Sequence, residues 1–135
     1  PYPRIVRMLE QMKRRGIRLG VLSNKPDRHA VHVVQEIFGE RLFDEVQGQR
    51  EGVPRKPDPA ALFSMAETFG ADRKDVLYIG DSEVHAATGK AAGMNTVLVS
   101  WGFRTRKELE MARPDRIVDS AEEILTIAEG DKKQR

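Results

Sequence analysis

No cysteine occurs among the 135 residues. That excludes disulfides, thiolate metal sites and a cysteine nucleophile, and it suits a reducing compartment. A cytoplasmic location is therefore expected. No apolar stretch approaches the roughly 20 residues that a membrane-spanning helix requires, so no membrane partner is expected. No charged-then-apolar leader opens the chain, so no signal peptide is expected. Aromatic residues make up only 6% of the sequence, and no basic stripe is interleaved with them. Nucleic acid is accordingly not an expected partner. Neither sign of charge dominates: 23 Lys and Arg stand against 21 Asp and Glu, a net charge of +2. The first residue is Pro, so a processed chain, an excised piece or a fragment is expected.

What is present is an alternation of helical and strand patterns. The length fits one domain over residues 1–135, large enough to bury a core. Pro1-Tyr2-Pro3 reads as extended, because each proline biases its neighbour away from helix. Ile5, Val6, Met8, Leu9 and Met12 then recur at helical spacing and end at Gly16. Ile17 to Ser23 reads as a strand. Asp27 can cap a helix whose face is Ala30, Val33, Val34, Ile37 and Phe38. Leu42 to Val46 reads as a short strand, and an irregular stretch rich in glycine and proline follows to Pro59. Asp58-Pro59 has the N-cap and N1 chemistry of a helix start. That helix carries Leu62, Phe63, Met65, Ala66 and Phe69, and a charged turn covers Asp72 to Asp75.

Val76 to Ile79 then reads as a buried strand ending at Gly80-Asp81. The next helix, Glu83 to Ala92, is small-faced (Ala86, Ala87, Gly89, Ala91, Ala92), which lets it lie close to a sheet. Asn95 to Val99 is another strand. Thr105 with Glu108, and Ser120 with Glu123, carry the capping-box spacing of two more helices. Ile117-Val118 is a short strand between them. Residues 130–135 read as a flexible polar tail. Strands alternating with helices imply parallel βαβ units and an α/β fold. We expect a Rossmann-like three-layer α/β/α core with a mostly parallel sheet.

Three polar groups follow strands or loops, where open α/β sheets bind ligands. Ser23-Asn24 offers a hydroxyl, an amide and backbone N–H groups to an oxyanion, although turns use the same residues. Lys56 sits in a loop stiffened by Pro57 and Pro59 and can place a point charge on a phosphate, although many surface lysines do nothing similar. Asp81 suits a hard cation such as Mg²⁺, and the same position suits a helix cap. Taken in order, hydroxyl and cation for phosphate oxygens and an acid for a metal are the equipment of phosphoryl transfer. His29 and His32 have a metal-pair spacing without a third ligand, and a solvated helix face is the expectation. Trp101 and Phe103 are expected to cover a loop over the core, the other reading being a substrate mouth. Arg104 could meet an anionic substrate or simply face solvent.

Val21-Leu22-Ser23-Asn24-Lys25, Arg55-Lys56-Pro57-Asp58-Pro59, Tyr78-Ile79-Gly80-Asp81-Ser82-Glu83-Val84-His85 and Ala91-Ala92-Gly93-Met94 together resemble motifs two, three and four of the haloacid dehalogenase-like phosphatases. The Pro1-Tyr2-Pro3 helix and Trp101-Gly102-Phe103-Arg104 resemble the phosphoglycolate phosphatase branch. The resemblance implies that Ser23, Asn24 and Lys56 bind the substrate phosphate, with Lys56 also steadying the charge of the nucleophile. It implies that Asp81 binds Mg²⁺, with Ser82 and His85 behind it, and that the substrate is a small phosphorylated metabolite.

The chain departs from the family pattern twice. It contains no Asp-x-Asp, which in the family supplies the nucleophile and the general acid/base on a central first strand. His85 also stands where the family usually has a second Asp, which implies weaker Mg²⁺ binding or a changed set of groups around the ion. We expect the chain alone to be inactive and to fold poorly. Without that strand, the Ser23 and Asp81 strands either leave a gap or pair directly. Bare strand edges open a route to self-association. Two competing readings are a degenerate core that binds phosphate or a partner without turnover, and a phosphorelay receiver domain.

Overall fold

The structure, a computed structural model, describes residues 2–39, 42–49 and 58–133. The chain divides into two compact units, Pro1–Arg55 and Lys56–Arg135. The first holds α1 (Tyr2–Arg14), β1 (Gly20–Pro26), α2 (Asp27–Phe38) and β2 (Glu45–Gln49). The second holds α3 (Ala60–Thr68), a single 3₁₀ turn (Arg73–Asp75), β3 (Leu77–Gly80), α4 (Glu83–Ala92), β4 (Asn95–Val99), α5 (Arg106–Met111), β5 (Arg116–Val118) and α6 (Ala121–Lys133). Every described strand pair is parallel, β1 with β2 and β3-β4-β5 in order. The architecture is the expected α/β one, with helices linking parallel strands.

In the first unit, α1 buries Met8 and Met12, the stripe that its spacing predicts. It begins at Tyr2, so Tyr2 and Pro3 are helical and not extended. Proline is tolerated in a first turn, where its missing N–H would have no helical partner. The helix ends in a Schellman arrangement: Ile17 N–H donates to Met12 O at 3.1 Å, and Gly16 takes φ 82°. β1 starts later than the apolar run suggests, because its partner β2 starts only at Glu45. Before that point Asp44 substitutes for a strand neighbour. Its Oδ2 accepts the Leu19 N–H at 2.7 Å and its own N–H donates to Leu19 O at 2.7 Å. Lys13 Nζ holds Asp44 Oδ1 at 3.1 Å and Leu42 O at 3.2 Å, tying α1 to the same junction. Partial desolvation pushes the Asp44 carboxyl up, but the Leu19 amide and the Lys13 charge outweigh it, so its pKa lies below the ordinary value.

In the second unit, Ala86, Leu98 and Leu109 form a buried cluster against Ala112 and Ile117. Val97, Leu98, Thr88 and Ile124 are among the fully buried side chains. α4 has the small face that the sequence predicts, in part. Ala86, Gly89 and Ala92 are buried, whereas Ala87 and Ala91 face outward. A Cβ on Gly89 would lie 1.9 Å from Thr96 Oγ1, so the absent side chain sets how closely α4 lies on β4. Gly93 ends α4 at φ 70° with Met94 N–H on Gly89 O at 3.0 Å.

β3 is buried on one side only: Tyr78 is 8% exposed but Ile79 is 37% exposed. That corrects the reading of a fully buried strand: successive side chains point to opposite faces, and the face of Ile79 is less covered than that of Tyr78. Among the described residues the buried Tyr78 hydroxyl makes no hydrogen bond of ordinary geometry. Thr88 lies beside it and gives its own proton to Val84 O at 2.7 Å. Burial pushes the phenol far above its ordinary pKa. α5 carries the predicted capping box, with Glu108 N–H on Thr105 Oγ1 at 3.2 Å and Thr105 N–H on Glu108 Oε1 at 3.0 Å. α6 continues as helix through Lys133, past the Gly130 at which a tail is expected.

Candidate functional site

Asp81 emerges where β3 stops, and the backbone turns there into α4. Ser82 is the N-cap, with φ −148° and ψ 168°, yet its hydroxyl does not cap the helix. The hydroxyl lies 3.1 Å from His85 Nδ1 instead. The Asp81 backbone N–H also donates to His85 Nδ1, at 3.1 Å. His85, one turn into the helix, thus satisfies an amide that the helix start would otherwise leave open. Nδ1 also lies 3.3 Å from Asp81 Oδ1, so the one ring nitrogen faces the backbone amide, the Ser82 hydroxyl and the carboxylate together. The imidazole packs edge-on against Tyr78, with ring centroids 6.1 Å apart. Gly80 is required for this arrangement: a Cβ there would lie 2.2 Å from the His85 Cβ.

The loop after β4 reaches the same strand end. A Cβ on Gly102 would lie 2.8 Å from the Asp81 Cβ and 2.9 Å from Oδ2. Arg104 grips Glu83 with a fork, Nε to Oε2 at 2.7 Å and Nη2 to Oε1 at 3.2 Å. This hydrogen-bonded charge pair holds the Glu83 carboxyl below its ordinary range and raises the Arg104 guanidinium. Phe103 is 98% exposed and does not cover the core, whereas Trp101 is 41% exposed.

Of the residues singled out from sequence, the structure brings together Asp81, Ser82 and His85. Ser23 belongs to the first unit and is half-buried. It does not follow a finished strand, because β1 continues to Pro26. The ladder is regular to Leu22, opposite Gln47, and resumes only at Pro26, opposite Gln49. Ser23 and Asn24 thus lie on an irregular stretch of strand, as at a bulge. The Asn24 side chain and the whole of Lys56 lie outside the described residues. His32 pairs with Glu36 at 3.0 Å on an exposed face, and the His29 side chain is outside the described set. Among the described residues no group of three or more His, Cys, Asp or Glu could hold a metal ion. Mg²⁺ needs no such group, since it is commonly held by one or two carboxylates and keeps several waters. Among the described residues no donor is hydrogen-bonded to the Asp81 carboxylate, which leaves its oxygens available to such an ion. Glu83 and Gly102 were not legible as site residues. Their roles depend on the loops after adjacent parallel strands meeting, and no local pattern records that.

A family model for haloacid dehalogenase-like hydrolases matches residues 1–93. The chain belongs to that family. The resemblance to haloacid dehalogenase-like phosphatases therefore holds, and with it the α/β core expected for the family. The phosphoglycolate phosphatase of Pasteurella multocida is 34% identical over 95% of this chain and 57% of its own length. That of Haemophilus influenzae strain Rd is 32% identical over 93% of this chain and 56% of its own. A solved structure of a predicted phosphoglycolate phosphatase from Haemophilus somnus superposes with TM-score 0.85 at 30% identity, over 93% of this chain and 56% of that one. The chain thus spans about half the length of the curated relatives it matches. No described helix of the chain is long and apolar enough to cross a membrane.

Proposed function

We propose that this chain is the part of a phosphoglycolate phosphatase-like enzyme that supplies the metal- and phosphate-binding side chains for hydrolysis of a small phosphomonoester. The observation that carries this reading is the Asp81 strand end, an acid that Gly80, Gly102 and His85 keep clear for a ligand. Asp81 would hold Mg²⁺, which when bound neutralises phosphoryl charge. Ser23 and Asn24 would donate to the phosphate oxygens. Lys56 would balance the charge on the phosphate and on the attacking carboxylate. Ser82 and His85 keep the Asp81 backbone in place. The aspartyl-phosphate would form on an aspartate of an Asp-x-Asp that these 135 residues do not contain. The 135-residue chain alone is therefore inactive. We place the protein in the cytoplasm, in keeping with its lack of cysteine, and the edge of β3 that has no ladder partner among the described residues offers a route to self-association.

A second reading is favoured by His85. A neutral ring standing where the family usually has an acid lowers the negative charge available to a cation, as in a core that binds phosphate without turnover. The two readings separate in one experiment. The 135-residue chain is assayed on 2-phosphoglycolate with and without Mg²⁺, beside a longer protein that joins it to an Asp-x-Asp segment. Activity only in the longer protein, dependent on Mg²⁺ and lost in Asp81→Asn, supports the enzyme. Turnover by the 135-residue chain, or an Asp81→Asn variant as active as wild type, overturns it. Phosphate binding with no turnover in either protein selects the second reading.

A further inference from the structure

The loop over residues 100–104 is anchored at both ends, and its Gly102 approaches Asp81. Ser100 N–H donates to Val118 O at 2.9 Å at one end. At the other end Thr105 opens α5 with both bonds of its capping box. Between them Gly102 comes so near Asp81 that a Cβ would lie within 2.9 Å of a carboxylate oxygen. Arg104 then forks onto Glu83, two residues beyond Asp81 and on the first turn of its helix. The two chain segments that meet here are thus joined by one geometrically specific bond pair. An isolated surface ion pair has a weak hold, but a fork fixes direction as well as distance.

We propose that Arg104 and Gly102 are positioning residues for Asp81: the loop after β4 is a clasp, closed by the Arg104–Glu83 fork, that confines the Asp81 carboxylate to one orientation. This inference rests on the reading of Asp81 as a metal ligand, and its test is built so that the two can fail separately.

Removing Arg104 alone would both open the clasp and release the Glu83 charge. The informative variant is Glu83→Gln with Arg104→Gln, which removes the ionic fork at unchanged net charge. The reversed pair, Glu83→Arg with Arg104→Glu, restores a fork of opposite sense. Trp101, the only tryptophan, stands in the clasp and reports on it by its emission maximum and by acrylamide quenching. The Asp81 amide resonance reports on the carboxylate's own residue. Terbium(III), a hard oxygen-seeking ion whose emission a nearby indole sensitises, probes binding.

The doubly neutral variant is expected to show red-shifted, more readily quenched Trp101 emission and a displaced Asp81 amide resonance. Its terbium affinity should fall on the order of tenfold, as when groups that orient a ligand are removed. The reversed pair should return all three toward wild type, which loss of a generic surface ion pair would not do. Unchanged Trp101 emission and Asp81 resonance in the doubly neutral variant overturn the clasp, as does a reversed pair that restores neither. If terbium fails to bind wild type, or still binds Asp81→Asn as tightly, the metal reading of Asp81 falls. The tryptophan and amide signals decide the clasp in that case too.

Discussion

Gly89→Ala sets two effects of opposite sign against each other. On an exposed helix the change would stabilise by about 1 kcal/mol, because alanine is the better helix former. Here the new methyl would lie 1.9 Å from Thr96 Oγ1 and 3.0 Å from the Thr96 Cβ and Cγ2. Thr96 has little freedom to yield: it is 2% exposed, sits on β4, and gives its hydroxyl proton to Met94 O at 3.0 Å. Being β-branched, it also has few alternative rotamers. Overpacking a fitted core typically costs about 1–3 kcal/mol, and more where backbone must move. The steric term therefore exceeds the propensity gain, and a net loss of about 1–2 kcal/mol is expected. Thr96→Ala removes the oxygen and should cost about 1–2 kcal/mol alone, through its lost hydrogen bond and methyl. In the double variant the clash is largely gone, so its loss should be smaller than the sum of the single losses by more than about 1 kcal/mol. Urea unfolding followed by far-ultraviolet circular dichroism measures all three. A Gly89→Ala variant as stable as wild type, or strictly additive losses, would refute the argument that this glycine sets the spacing of α4 and β4.

Tyr78→Phe should be neutral or stabilising by up to about 1 kcal/mol, because it removes a buried hydroxyl that makes no hydrogen bond of ordinary geometry among the described residues; a loss larger than that in the same unfolding assay would mean the hydroxyl is bonded. Asp44→Asn should destabilise by about 1 kcal/mol after allowing for its part exposure. The Asp44 carboxyl has a folded pKa below its ordinary 3.8, so its contribution is present above that value and is lost as pH falls below it. The wild-type advantage over Asp44→Asn should therefore shrink on acidification below about pH 4, and an advantage that holds constant there would contradict the Leu19 and Lys13 assignment. If the outer edge of β3 mediates self-association, light scattering should show a mass that rises with protein concentration, and Ile79→Lys, at an exposed position on that strand, should reduce it.

Helix and strand identity were legible because they depend on local chemistry. The stripe of Met8 and Met12, the Gly16 and Gly93 stops, and the Thr105–Glu108 and Ser120–Glu123 boxes act over one or two turns, and each stands where its spacing predicts. Strand limits were less legible, because a strand ends where its neighbour ends. β1 starts at Gly20 and not Ile17 since β2 offers nothing to pair with before Glu45. The family was legible from ordered motifs, and Asp81 from its place after a strand and a glycine. The sequence alone determined that Gly80, Asp81, Ser82 and His85 would share a strand-to-helix turn, because they are neighbours in the chain. Only the tertiary structure decided what surrounds them. That His85 Nδ1 is occupied by the Asp81 amide, that Gly102 leaves room for the carboxylate, and that Arg104 reaches Glu83 across 21 residues all follow from adjacent parallel strands bringing their following loops together. Hydrophobic periodicity fixes which face of an element is buried. It carries no information about which polar loop atoms meet at the end of the sheet.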